Sequence, residues 1–215
     1  MLVQFDEGPA VMSDETTTDA VRATATEALR NLLAGNQRFV EGHPVSHAMT
    51  ERERHALLAA QYPSAILLGC VDARVPPEVV LDQGVGDLFT VRTAGHSLAG
   101  VALGSLEFGV RKLGVPLVVV LAHTGCGAVL AALSDDAPDG HLGELTGEVA
   151  SRLATVVGAD PVRATGANLE ATVEALRHLG TLVTPDGHPA FVVGLLYDMA
   201  TGAVSITDDA GLLSA

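Results

Sequence analysis

The stretch LVVVLAHTGCG, residues 117–127, decides how this chain can fold. Its first six residues are uncharged and rich in β-branched Val, which is the composition of a strand buried on both faces of a sheet. The residues His-Thr-Gly-Cys-Gly follow directly. The stretch therefore predicts a central strand that ends in chemically active side chains.

Shorter apolar runs on either side predict the rest of a sheet. These further strands are Ala65–Leu68, Leu88–Val91, Phe191–Tyr197 and, after a turn at Thr201-Gly202, Val204–Thr207. Helical periodicity lies between them, at Leu98–Leu113, Ala128–Leu133, Glu148–Val157 and Leu169–Leu179. Strands that alternate with helices indicate an α/β fold. We expect a mostly parallel central β-sheet flanked by helices, with an N-terminal helical arm and a short C-terminal antiparallel strand.

The domain organisation is expected to be simple. Residues 1–20 are acidic and rich in Thr without an apolar period, so we expect a loose N-terminal arm there. No later segment has the composition of a linker between domains. Residues 21–215 are therefore predicted to form a single domain.

Two capping boxes predict helices ahead of the first strand. Thr24 with Glu27 has the Ser/Thr-x-x-Glu spacing that starts a helix, and Gly35 is expected to end that helix. Thr50 with Glu53 has the same spacing and predicts a second helix. The helical segment between residue 20 and the first strand is therefore expected to consist of short, separate helices.

Composition excludes several classes of function. The 215 residues include 12 Lys+Arg against 26 Asp+Glu, which gives a formal net charge of −14. Such a chain has no cationic surplus for nucleic acid and would be repelled by an anionic membrane surface. No apolar run approaches the roughly 20 residues of a membrane span, and no secretory signal is expected. With only two cysteines, we expect a cytoplasmic protein with reduced thiols.

Metal-binding side chains follow the two most apolar strands. Cys70 comes at the end of one, and His123 and Cys126 come at the end of the other. Because the carboxyl ends of parallel strands meet at one edge of a sheet, these side chains are expected to converge. A Cys₂His set suits Zn²⁺ and leaves a fourth position open. The alternative is that both cysteines are small apolar core residues.

Asp72 and Arg74 follow Cys70 in a segment that ends at Pro76-Pro77. A guanidinium can hold a carboxylate by two charge-assisted hydrogen bonds and so orient it toward a metal. Asp72 could then accept a hydrogen bond from metal-bound water, or displace that water as the fourth ligand. The alternative is a plain surface ion pair.

These motifs resemble those of the β-class carbonic anhydrases. CVDARV (70–75) is similar to the family segment C-x-D-x-R-V, GDLFTVRTAGH (86–96) to its G-D-x-F-x-x-R block, and AHTGCGAV (122–129) to its G-H-x-x-C-G-A segment. GNQRFVEG (35–42) is similar to the family's N-terminal helices, and the likeness runs from about Ala28 to Thr207. RTAGH (92–96) and VVGLLYDMATGAV (192–204) resemble the actinobacterial branch in particular.

The resemblance implies a role for each matching residue. Cys70, His123 and Cys126 would ligate one Zn²⁺ per chain, and Asp72 and Arg74 would form the family's dyad, with Asp72 also able to ligate the metal. Gln61 and Phe89 match residues of the substrate pocket, and Phe89 would line the interface of a homodimer or tetramer. Without the family, they would be a polar residue at a helix end and a core aromatic residue.

Two positions depart from the family pattern. Ala73 stands where many members have Ser, and Phe108 stands where the plant-type pocket has Tyr. Both departures bear on hydrogen bonding in the substrate pocket.

His96 follows a different strand from the other candidate ligands. We therefore expect it to be a hydrogen-bonded polar residue near the pocket rim and not a further ligand.

The expected activity is therefore that of a carbonate dehydratase, a lyase. Zinc-bound hydroxide would attack carbon dioxide and give bicarbonate and a proton, in a reversible reaction. Two alternatives remain at this point. The same fold and ligands could hydrolyse CS₂ or COS, or the protein could bind zinc or bicarbonate without catalysis.

Overall fold

The computed structural model describes residues 15–45, 47, 49–134, 138–153 and 160–213. Five strands form one sheet: β1 (Ala65–Cys70), β2 (Leu88–Thr93), β3 (Leu117–His123), β4 (Phe191–Tyr197) and β5 (Val204–Asp208). Their order is β2-β1-β3-β4-β5, with β5 antiparallel to β4 and all other pairs parallel. The predicted fold class is confirmed.

The helices lie before, between and around these strands. They are α1 (Glu15–Val40), α2 (Glu51–Ala56), α3 (Pro77–Val80), α4 (Gly100–Leu113), α5 (Gly127–Ala132), α6 (Gly140–Arg152) and α7 (Pro161–His178), with a 3₁₀ turn at Ala94–His96. Within the described residues, no helix combines the length and the apolar composition needed to cross a membrane.

Strand β3 is buried along its whole length and joins two apolar cores. Val119 and Leu121 pack in one core with Leu29 and Leu32 of α1. The alternate residues of β3 pack in the other core, against α4 and α7. Because successive side chains of a strand point to opposite faces, the LVVVLA run supplies both cores at once. The result is a sheet between two helical layers.

Helix α1 corrects two predictions about where the first helix begins. It begins at Glu15, so residues 15–20 are helical, whereas residues 1–14 of the expected loose segment lie outside the described residues. Thr24 lies inside the helix, where its hydroxyl donates to the carbonyl of Ala20 and caps nothing. The early turns are held by distant residues, since Arg22 donates to the carbonyl of Gly211 and lies 5.0 Å from the ring centroid of Phe191.

Gly35 does not end the helix as expected, and α1 continues to Val40. A Cβ atom at Gly35 would lie 1.9 Å from the carbonyl oxygen of Leu81, so the glycine allows α1 to touch the segment after α3. The next residue, Asn36, donates to the carbonyls of Val80 and Gly202. Gly35 therefore serves a close backbone approach, which no local pattern reveals.

The second capping box is confirmed. The backbone N–H of Glu53 donates to the hydroxyl of Thr50, and the carboxylate of Glu53 accepts from the backbone N–H of Thr50 at 2.7 Å. Together these bonds satisfy two of the donors that a helix start leaves unpaired. The short helix α2 therefore begins where the sequence predicts.

A buried carboxylate connects α1 to the segment that follows α3. Asp82 accepts from Arg38 at 2.5 Å and from the backbone N–H of Val45 at 3.0 Å, and its carboxylate lies 2.9 Å from His47 Nε2. Although burial opposes ionisation, these contacts hold the pKa of Asp82 below its usual value. Its left-handed backbone (φ 48°) is a conformation that Asp tolerates better than most residues.

The ionised form of Asp82 should stabilise the fold above the unfolded-state pKa of about 3.9, and this contribution should disappear as the pH falls toward the lower folded-state value. We expect Asp82→Asn to lower the free energy of unfolding by about 1–2 kcal/mol at pH 7 and by less at pH 3. Urea unfolding at both pH values measures this difference, with the exposed Glu144→Gln as control. A loss that does not change with pH would contradict the interpretation.

Candidate metal centre

Three candidate ligands meet at the carboxyl edge of the sheet. Cys70 ends β1, His123 ends the neighbouring parallel strand β3, and Cys126 is the residue before α5. One ligand atom from each of the three side chains lies within 4.8 Å of the other two, and all three residues are buried. The structure thus brings together the Cys₂His set that the sequence indicates.

The spacing of the two sulfur atoms fits a metal ion. Cys70 Sγ and Cys126 Sγ lie 3.9 Å apart, far beyond the roughly 2.05 Å of a disulfide. Two thiolates bound tetrahedrally to Zn²⁺ at about 2.3 Å would lie about 3.8 Å apart. The observed pair already has the separation that zinc requires.

His123 offers the atom that completes the set. Its Nδ1 lies 3.0 Å from the carbonyl oxygen of Thr124, to which it must donate, so the lone pair is left on Nε2. Nε2 is buried and has no hydrogen-bond partner. A buried nitrogen without a partner is costly in an empty site but is a ready metal ligand.

The three groups lie close enough to shift one another's pKa values. The contact with the Cys126 sulfur lowers the pKa of the Cys70 thiol, and His123 acts in the same direction. The same contact raises the pKa of Cys126. Burial opposes protonation of His123, yet its contact with the Cys70 sulfur raises the pKa of the imidazole. Bound metal would replace protons on these groups.

Asp72 and Arg74 form a bidentate ion pair beside the ligands. The guanidinium donates to the two oxygens of Asp72 at 2.9 and 2.7 Å, and the backbone N–H of Arg74 donates to Oδ1 at 3.0 Å. These bonds hold the pKa of Asp72 well below its usual range. Asp72 Oδ2 lies 4.0 Å from His123 Nε2, so an ionised carboxylate borders the site.

Arg92 is a residue of the site that the sequence reasoning missed. From strand β2, its guanidinium donates to the carbonyl of Cys70 at 2.8 Å and to that of Asp72 at 2.7 Å. It therefore fixes the backbone that carries both side chains. The G-D-x-F-x-x-R block ends on Arg92, so this motif could have identified it from the sequence.

Gln61 and Phe89 lie away from the metal ligands of their own chain. Gln61 is exposed and comes before the amino end of β1, opposite to Cys70. Phe89 pairs with Ile66, near the same end, and its ring centroid lies 6.2 Å from that of Phe108. A place for Gln61 or Phe89 in a pocket between subunits stays a prediction.

His96 is satisfied, as expected, but it lies in the interior and not at a rim. It is 1% exposed, and its Nδ1 lies 3.2 Å from the hydroxyl of Thr172. Burial, together with the nearby positive charges of Arg152 and His123, lowers its pKa to about 3. His96 is not one of the three clustered ligands.

Comparison with known proteins agrees with this geometry. Residues 65–204, which carry all three candidate ligands, match the family described as carbonic anhydrase. The chain belongs to the carbonic anhydrase family. This match extends from the first residue of β1 to the first residue of β5 and therefore covers the four parallel strands in full.

Two curated relatives are mycobacterial members of the family. Carbonic anhydrase 2 of Mycobacterium tuberculosis is 46% identical over 127 residues, which cover 57% of this chain and 61% of that protein. The carbonic anhydrase of Mycolicibacterium smegmatis is 38% identical over 196 residues, which cover 86% of this chain and 94% of that protein. These relatives confirm the predicted likeness to the actinobacterial branch.

Solved structures place the chain in the β class. A β-carbonic anhydrase of Aspergillus fumigatus is 27% identical, with a TM-score of 0.58 over 74% of this chain and 81% of that chain. One of two tetrameric β-carbonic anhydrases of Sordaria macrospora is 20% identical, with a TM-score of 0.63 over 90% of this chain and 98% of that chain. The second likeness supports the fold alone.

Purified protein should contain about one zinc per chain, since a catalytic site of this type holds one ion. Cys126→Ser should lose most of the zinc, because the site would lose one of its two soft sulfur ligands. Val129→Ala is the matched control, since Val129 packs in the same buried cluster without offering a ligand atom. Elemental analysis after gel filtration measures the metal, and a fully loaded Cys126→Ser protein would contradict the assignment.

Proposed function

We propose that this protein catalyses the reversible hydration of carbon dioxide to bicarbonate and a proton. The observation that carries this proposal is the buried Cys70–His123–Cys126 cluster with an ionised carboxylate at its border, in a chain of the carbonic anhydrase family. One zinc ion per chain, bound by the three clustered residues, would acidify a water molecule for attack on carbon. No larger cofactor is required for this reaction.

Each of the three ligands has a defined task in this proposal. The Cys70 and Cys126 thiolates hold the ion and offset its charge, and His123 binds through Nε2. The carbonyl of Thr124 fixes the imidazole in the tautomer that can ligate. The ligand set is complete within one chain, because all three side chains come from the same sheet edge.

Asp72 is proposed to act on the reacting water. Its carboxylate is held by Arg74 and is ionised, so it can accept a hydrogen bond from water in the open fourth position. This bond would orient the oxygen lone pair toward the carbon of the substrate. Arg74 is thus proposed to determine where the carboxylate lies.

The same carboxylate is proposed to close the site in a second state. Asp72 Oδ2 lies 4.0 Å from His123 Nε2. If Asp72 separates from Arg74, its carboxylate would therefore need to move only a short distance to occupy the fourth coordination position of the metal. Carboxylate and water would then compete for that position. The arrangement described here, with Asp72 on Arg74, is the open state, and it argues against a purely structural site that permanently uses Asp72 as a ligand.

The substrate pocket is proposed to form between subunits of a homodimer or tetramer. Gln61 and Phe89 lie at the far end of β1 and β2 from the ligands of their own chain, so they can reach a metal only in a partner. Large apolar side chains are exposed close to Gln61 in the chain, among them Leu58 (74%) and Tyr62 (86%). Exposure of this kind is typical of an unpartnered interface.

A cytoplasmic location is also proposed. The site needs two reduced thiols, and a reducing compartment maintains them. The acidic composition, with a net charge of −14, fits a protein that acts on small molecules and not on nucleic acid or an anionic membrane.

Stopped-flow measurement of CO₂ hydration tests the activity directly. Arg74→Ala should lower kcat/KM by about 10–100-fold, because Asp72 would lose the group that holds it off the metal position. Arg163→Ala, at an exposed arginine of α7, is the control and should keep the wild-type rate. An Arg74→Ala enzyme with an undiminished rate and normal zinc content would remove Asp72 from the mechanism.

The same preparation should be assayed with CS₂ and COS, which have the same linear shape as CO₂. We expect hydration of CO₂ to be much the faster reaction. Faster turnover of CS₂ or COS would overturn the proposed substrate, and no turnover of any of the three would favour a zinc- or bicarbonate-binding protein.

Light scattering at micromolar concentration should show a dimer or tetramer and no active monomer. Tyr62 is 86% exposed in the isolated chain and is proposed to be covered by the partner subunit. Tyr62→Glu should weaken the assembly, because association would then bury an unpaired charge. Activity should fall together with the oligomer as the protein is diluted. A fully active monomer would refute the shared pocket.

A further inference from the structure

A turn with two left-handed residues contacts Cys70, one of the candidate zinc ligands. Gly95 and His96 both have left-handed backbone conformations, with φ of 60° and 44°. The backbone N–H of Gly95 donates to Cys70 Sγ at 3.4 Å. A left-handed backbone is costly for a residue other than glycine, so surrounding contacts must hold His96 and the turn in place.

Those contacts come from one face of α7. The side-chain amide of Asn168 donates to the carbonyl of Gly95 at 3.1 Å and lies 3.4 Å from His96 Nε2. One helical turn later, the hydroxyl of Thr172 lies 3.2 Å from His96 Nδ1. Asn168 and Thr172 are both fully buried, so water does not compete for these bonds.

The amide of Asn168 has only one suitable orientation. Arg152 Nε donates to Asn168 Oδ1 at 2.8 Å, which leaves Nδ2 to face the carbonyl of Gly95. Arg152 is itself paired with Glu148, and Glu148 also accepts from the backbone N–H of Leu98, just after the turn. A polar network from α6 therefore determines which atom of Asn168 meets the turn.

We propose that Asn168 is a positioning residue of the zinc site: by holding the Gly95 carbonyl, it directs the Gly95 N–H onto the sulfur of Cys70. The inference rests on the proposed zinc site. A hydrogen bond to a ligating thiolate draws electron density from the sulfur and leaves more positive charge on the metal. This matters in a Cys₂His site, because two thiolates otherwise make the ion a weak Lewis acid.

A purely structural role for Asn168 would give a different result. Loss of a buried hydrogen bond would then lower the stability of the fold and leave the electron density at the sulfur unchanged. The charge-transfer band from thiolate to Co²⁺ in the cobalt-substituted protein reports that electron density. It should move to longer wavelength when the Gly95 N–H no longer donates to Cys70.

The test compares two nearly isosteric changes on α7. Asn168→Leu removes the amide that holds Gly95, and Thr165→Val removes a buried hydroxyl that donates only to the carbonyl of Pro161. We expect Asn168→Leu to shift the charge-transfer band to longer wavelength and to weaken zinc binding about 10–100-fold, measured against a chromophoric chelator. Thr165→Val should match the wild type in both measurements.

Asn168→Ser provides a second variant if Asn168→Leu does not fold, since the smaller side chain keeps a polar group in the buried site but has no amide to hold Gly95. An unchanged band and a zinc affinity within about twofold of wild type, in a folded Asn168 variant, would overturn the inference alone. A wild-type protein that binds neither Co²⁺ nor Zn²⁺ would overturn the proposed zinc site as well.

Discussion

The site depends on the parallel pairing of β1 with β3. Gly69 lies opposite Leu121 in this pair, so β1 and β3 end within one residue of each other at the same sheet edge, with Cys70 and His123 as their last residues. Both strands are buried over their whole length, and a slip of one residue would turn every apolar side chain to the opposite face. The same strand register therefore both packs the apolar core and brings the two ligands together.

Around the ligands, hydrogen bonds that involve the main chain offset much of the cost of burying polar atoms. The carbonyl of Thr124 satisfies His123, the N–H of Gly95 faces Cys70, and Arg92 satisfies the carbonyl groups of the backbone beside it. Such second contacts fix orientation as well as charge. The buried atom left without a partner in this group is His123 Nε2, at the position where a ligand atom is needed.

The sequence predicts the parts of this arrangement that depend on local pattern. The apolar run of β3, the capping box at Thr50 and the three ligand positions can all be found from neighbouring residues. The start of α1, the contact of Gly35 with Leu81 and the bonds of Asn168 cannot, because their partners are far away in the chain. Propensity and spacing say nothing about such partners until the fold brings them together.

The distances along the chain also bear on the order of folding. Cys70 and Cys126 are 56 residues apart, and Asn168 reaches back 73 residues to Gly95. Contacts of such high contact order require large loops to close before they contribute any stability. The ligands can converge only after β1 and β3 have paired, and α7 can hold the turn only after it has docked. Metal capture should therefore be a late event that locks a finished sheet, and not the nucleus around which the chain collapses.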